Sequence, residues 1–194
     1  MLGFAVFALV VTLAPAFCAD RGASAHGAQP RPAAQHVVSV MFGNVSESNW
    51  VGGSAVSPAF LSDASIEERA FHLINEARRA HGLRILEWHA DLHRMAQSHS
   101  GSMARDDFFS HIDPHGLGML GRARRTGLAG WRALGENLAY NLGYSDPAAF
   151  AVHGWADSIK HRRNLLRPVF THTAIGVART LDGRFFFTQV FGSK

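Results

Sequence analysis

The C-terminal stretch constrains the fold more than any other part of the chain. Two apolar runs, Thr173–Arg179 and Arg184–Phe191, flank Leu181-Asp182-Gly183. Asp-Gly between apolar runs marks a tight turn, because such turns need backbone conformations that these residues tolerate. The pattern predicts an antiparallel hairpin. A lone hairpin is barely stable in water, so the chain before it must cover at least one of its faces.

That preceding chain has helical periodicity. Ser65-Ile66-Glu67-Glu68 reads as a capping box opening a helix that runs to about His81. Phe71, Ile74, Ala77 and Ala80 are placed inward, and Gly82 closes the helix. A second helix is predicted over Ala90 to Arg105, with Leu92, Met95, Ala96, His99 and Met103 on one side. At that spacing His99 reads as a core histidine with a hydrogen-bond partner. A short helix follows around Leu120–Thr126. Ser145-Asp146-Pro147 opens another, carrying Val152, Trp155 and Ile159 and ending near Lys160. Helices first and a hairpin last predict an α+β domain, with helices packed on a small antiparallel sheet.

The chain has 194 residues, 47% of them hydrophobic, enough for one domain with chain to spare. Leu2 to Leu13 is almost wholly apolar but short of the roughly 20 residues a membrane span needs. Residues 1–18 read as a signal peptide, with Ala14-Pro15-Ala16 as a cleavage site; no Lys or Arg precedes the apolar run, and an uncleaved anchor is the alternative. Residues 19–64, rich in Ala, Gly, Ser, Pro and Val, read as a flexible linker with a short strand at His36–Phe42. The folded domain is placed at 65–194, secreted or periplasmic, with no transmembrane segment once the signal is removed. Cys18 is the only cysteine, so no internal disulfide forms and the core alone must hold the domain together.

The formal net charge is +4, with basic residues denser at Arg122–Arg125 and Lys160–Arg163. Such charge favours anionic envelope components or lipid as partners, although most of these residues read as a solvated face. The basic spots have no interleaved aromatics and no nucleic-acid-binding fingerprint.

Three polar residues stand out beside strongly apolar sequence: His111 in Phe-Phe-Ser-His, Glu136 in Gly-Glu-Asn, and His161 in Lys-His-Arg-Arg-Asn. Two imidazoles and a carboxylate suit zinc or another divalent cation. The same groups could polarise a water without a metal, or brace the fold as a hydrogen-bonded network. Asn137 can hold Glu136 or a loop through its amide, and Asn164 can fix the turn after His161. Their spacing matches no local ligand motif such as His-Glu-x-x-His. No nucleophilic serine elbow, P-loop or dinucleotide fingerprint is present.

Four blocks occur in order: "INEARRAHGLRILEWHADLHRMAQSHSGSMARDDFFSH", "GENLAY", "WADSIKHRRNLLRPVFTHTAIGVA" and "FFFTQVFG". Together they resemble the CAP superfamily, the SCP domain of cysteine-rich secretory, antigen 5 and pathogenesis-related proteins, and within it the disulfide-free bacterial branch. The resemblance covers about Ser65 to Lys194. It implies a three-layer α-β-α sandwich with a central antiparallel sheet and an open cleft lined by histidines and acids. It places the first family histidine on His111, the family Glu on Glu136 and the second histidine on His161. A further family Glu falls on Ser158, which reduces four polar groups to three; Asp157 is adjacent, but neighbours on a helix point about 100° apart.

Family members are described as zinc binders, sterol or fatty-acid binders and, in some cases, proteases. Three functions are therefore weighed. One is a cell-envelope binding or interaction module whose His/Glu/His cleft holds a cation. Another is a metal-assisted hydrolase of peptides or esters with Glu136 as catalytic base. The third is a lipid- or sterol-binding protein. The first is favoured, because the sequence offers no dedicated transition-state donor apart from Asn137.

Overall fold

The computed structural model describes Val6–Thr12 and residues 62–194. Its elements are β1 (Val6–Thr12), α1 (Asp63–Ala80), β2 (Glu87–Trp88), α2 (Ala90–Asp106), α3 (Met119–Arg125), β3 (Ala133–Asn141), α4 (Pro147–Asp157), α5 (Ile159–Leu165), β4 (His172–Arg179) and β5 (Phe185–Ser193). The strands form one sheet in the order β1-β3-β5-β4-β2. Every pairing is antiparallel except β2 with β4, so the sheet is mixed where an antiparallel one is expected. Of the expected signal segment, Val6–Thr12 is described, as the edge strand beside β3. The linker, its expected strand at His36–Phe42 and Cys18 lie outside the described residues.

The predicted hairpin is present. Gly183, at φ +88, turns the chain, and the Thr180 N–H donates to Arg184 O at 2.9 Å. Strand pleating then sorts the side chains onto two faces. On one face Ala133 and Ala139 of β3 join Ile175, Val177, Phe187 and Phe191 beneath α1 and α4, whose Ile74 and Trp155 are fully buried. On the other, Leu134, Ala174 and Val190 pack against Leu92, Met95 and Ala96 of α2 and Met119 of α3. The result is the expected three-layer α-β-α sandwich.

The first helix begins one turn earlier than expected. Ser62 is the N-cap, its hydroxyl accepting from the Ser65 N–H at 3.1 Å, while Ser65 Oγ donates to Ser62 O at 2.8 Å. Glu68, the expected box partner, is exposed beside His72, while Glu67 turns inward, where its Oε1 accepts from the Val177 N–H at 3.0 Å. The buried stripe runs through Ile66, Ala70 and Ile74 and ends on Arg78, while Ala80 is exposed. Arg78 is tolerated inside because its guanidinium donates to Leu165 O at 2.6 Å and Arg84 O at 2.9 Å. The second helix matches its prediction, with all five inward residues buried.

The helix expected to run from Pro147 to Lys160 is two helices. Asp146 caps the first, accepting from the Ala149 N–H at 2.9 Å. Ser158 then adopts extended backbone (φ −80, ψ 121) and α5 starts in a new direction. The break turns Ile159 outward, to 61% exposure, and buries His161 and Asn164.

Close packing of α2 on the sheet depends on Gly176, where an added Cβ would overlap the backbone of Ala96 and Gln97. Gly176→Ala should cost about 3 kcal/mol in urea unfolding, as overpacking against fixed backbone does. Gly101→Ala, at a helical position with open space around it, should be neutral or stabilising by up to about 1 kcal/mol.

Candidate functional site

The Phe108–Gly116 segment leaves α2 through Asp107, in left-handed conformation at φ 49, and folds back across the α2/α3 side of the sheet. Phe108 lies against the His99 ring at 5.9 Å and Phe109 against Tyr140 at 5.0 Å. Asp113 shapes the turn, its Oδ1 accepting from the His115 and Leu117 N–H groups at 3.0 and 2.8 Å. Between the aromatics and the turn, His111 is directed down onto β3.

There it meets Glu136, whose side chain is fully shielded from solvent. His111 Nδ1 lies 2.8 Å from Glu136 Oε1, and Arg122 Nη2 donates to Glu136 Oε2 at 2.5 Å. The second terminal nitrogen of Arg122 donates to His111 O at 2.9 Å and Leu117 O at 3.2 Å. One guanidinium therefore ties α3, the His111 loop and β3 together. Burial raises the Glu136 pKa, but the His111 hydrogen bond and the Arg122 charge outweigh it and hold the carboxyl below its usual range. An ionised carboxylate can only accept, so His111 Nδ1–H is the donor in this bond.

His99 adjoins this cluster from α2. Its Nε2–H donates to Ser110 O at 2.9 Å, the partner expected of a core histidine. Burial is the main cause of a pKa lowered to about 4, against the attraction of Glu136 and in line with the repulsion of Arg122.

The remaining predicted residues sit across the strand. Asn137 follows Glu136 in β3 and so points to the opposite face. Its Nδ2 reaches Gln189 Oε1 at 3.3 Å and His161 O at 3.4 Å, and its Oδ1 accepts from Asn164 Nδ2 at 2.9 Å. Asn164 Nδ2 also reaches Glu136 O at 3.2 Å. Asn164 therefore fixes α5 to the sheet, and Ser158 is the break between α4 and α5. His161 is buried on α5 on this second side. The structure brings His111 and Glu136 together, and it sets the His161 backbone oxygen against Asn137, the next residue of β3.

The Glu136 carboxylate is poorly placed to serve as a ligand for a divalent cation. Both Glu136 oxygens are engaged, one of them by a guanidinium, and a fixed positive charge in contact with the carboxylate disfavours a second one beside it. Among the described residues no three His, Cys, Asp or Glu side chains are grouped to hold a metal ion. Arg122 is the functional residue missing from the sequence expectation. Its signal is positional: in α3 it sits three residues after Met119 and next to Ala123, on the stripe that faces inward.

Fold and cluster together define a small α-β-α domain with a histidine- and acid-lined polar centre. Residues 71–191 match the model of the cysteine-rich secretory protein family, and the chain belongs to that CAP family. It is 34% identical over 146 residues to a Bacillus subtilis protein named uncharacterized membrane protein YlbC, covering 72% of this chain and 40% of that one. It is 30% identical over 131 residues to Bacillus subtilis YkwD, covering 68% and 49%. The chain thus spans less than half the length of either relative. Among solved structures, an extracellular SCP-domain protein of Bacillus anthracis superposes with a TM-score of 0.58 at 35% identity, over 68% of this chain and 41% of that one. An outer surface protein of Borrelia burgdorferi shares the fold, with a TM-score of 0.60 at 18% identity over 69% and 96%. Among the described residues no helix is long and apolar enough to cross a membrane.

The cluster predicts acid sensitivity. The His99 pKa of about 4 lies below its ordinary 6.5, so the unfolded chain takes up a proton that the fold refuses. Its contribution is fully present above pH 6.5 and is lost as pH falls toward 4, about 3 kcal/mol in all. Glu136 adds a further loss below its ordinary value of 4.5. Chemical denaturation across this range should show the decline, and His99→Phe should remove the part above pH 4.5.

Proposed function

We propose that this chain is an exported binding and interaction module of the cell envelope, and that its His111–Glu136–Arg122 cluster holds the cleft in shape rather than performing chemistry. The observation that carries this reading is the double engagement of Glu136, by His111 at 2.8 Å and Arg122 at 2.5 Å, in a fully buried position. A general base needs a lone pair facing a substrate proton or a water, and a metal ligand needs one facing the ion. Both carboxylate oxygens are instead directed at protein donors, so the hydrolase reading loses its base. Export is supported by the family and by the extracellular SCP-domain protein at 35% identity.

Breaking one partner of a buried ion pair leaves the other charge uncompensated. Glu136→Gln should therefore destabilise the fold by about 3–5 kcal/mol, measured by denaturant unfolding. Wild-type protein prepared without chelators should give no binding heat with zinc in calorimetry. Stoichiometric zinc binding that disappears in His111→Ala, or peptide or ester hydrolysis that disappears in Glu136→Gln while the variant stays folded, would refute this reading.

A further inference from the structure

The break at Ser158 has a consequence on the outer surface. From Ser158 to Leu181 the chain contains no Asp or Glu, while Lys160, Arg162, Arg163 and Arg167 fall on α5 and the turn after it. Among the described residues none of these four side chains makes an ion pair. Arg162 donates to Ala156 O at 3.0 Å and Arg167 lies over the Phe170 ring at 5.5 Å, contacts that orient the guanidinium groups without neutralising them. A shallow groove of about 660 Å³ is lined by Ile159, Arg162, Arg163, Leu166, Arg167 and Pro168.

Large apolar side chains are exposed on α5 and in the turn after it. Ile159 is 61% exposed and Val169 46%. Uncompensated cations set among exposed aliphatic groups distinguish between anionic partners. A soluble polyanion would satisfy the arginines and leave Ile159 and Val169 in water. A bilayer interface takes both, phosphates meeting the cations and aliphatic side chains entering the head-group region.

We propose that the α5 face docks on an anionic phospholipid surface, with Arg163 and Arg167 on lipid phosphates and Ile159 and Val169 inserted beside them. This names the partner of the module and rests on the reading of the chain as a binding protein. The docking face is remote in character from the Glu136 cluster: it uses the outer side of α5, whose inner side Asn164 fixes to β3.

The test is sedimentation of the full chain with phosphatidylcholine vesicles, with and without phosphatidylglycerol. Binding should require phosphatidylglycerol and weaken as salt rises. At about fivefold per basic residue at a membrane surface, the Arg163→Glu/Arg167→Glu double variant should bind about 25-fold more weakly or worse. Ile159→Ser/Val169→Ser should bind vesicles several-fold more weakly, at roughly 25 cal/mol per Å² of apolar surface, yet bind dextran sulfate as wild type does. Ile159, Arg163 and Val169 are exposed and Arg167 is half-buried, and circular dichroism should show unchanged folds; the salt and lipid dependence of wild type needs no variant. Equal binding to both vesicle types, as insertion of an apolar terminal segment alone would give, overturns the proposal. So does binding to dextran sulfate only, or indifference to either pair of substitutions. None of these outcomes alters the zinc and Glu136→Gln measurements, so the two readings fail separately.

Discussion

Glu136 is a carboxylate placed where water does not reach, and the structure around it is shaped by that fact. An isolated buried charge is too costly to keep, so the group must either take a proton or be met by donors. Here two donors meet it, an imidazole and a guanidinium, and they come from separate parts of the chain. Arg122 has its own requirements and meets them on the backbone oxygens of His111 and Leu117. Satisfying one carboxylate therefore fixes the position of α3, the path of the 107–118 loop and the orientation of His111. A protein without internal disulfides gains from this a crosslink between chain segments that its apolar core alone would not specify.

The alternation of β3 explains why the polar residues form two centres rather than one. Glu136 serves the α2/α3 side; Asn137, one step along, serves the α5 side with Gln189 and Asn164. The Gly-Glu-Asn sequence is thus a hinge between two hydrogen-bonded networks. Gly135 lets Phe170 and Asn164 come close on one face, while Glu136 anchors the other. A brace on the inner strand and a cationic, partly apolar helix outside it suit a domain that presents a rigid surface to a partner.

Much of this was legible in the sequence, and the failures have physical causes. The hairpin and α2 were readable because turn chemistry and a strict apolar stripe act locally. The capping serine of α1 was misplaced by one turn because Ser62 and Ser65 are equally good caps and only the packing of Glu67 on Val177 decides between them. The break at Ser158 has no glycine or proline to mark it; it follows from the tertiary demand that Asn164 reach β3. The central strand β3 offered no period, since both of its faces are buried and each mixes apolar with polar residues. His111 and Glu136 were recognisable as a pair through the family motifs. Arg122 was hidden in a run of arginines that looks solvated, and the placing of Asn137 opposite Glu136 was not legible because alternation along a strand matters only once the strand is known.

The most direct measurement of the central claim is the titration of the Glu136 side-chain carbon followed by nuclear magnetic resonance on selectively labelled protein. A carboxylate held between His111 and Arg122 stays ionised until below the ordinary glutamate range and protonates only as the domain unfolds. A Glu136 that takes up a proton above its ordinary value while the domain remains folded would contradict the account, since burial would then prevail over its two partners.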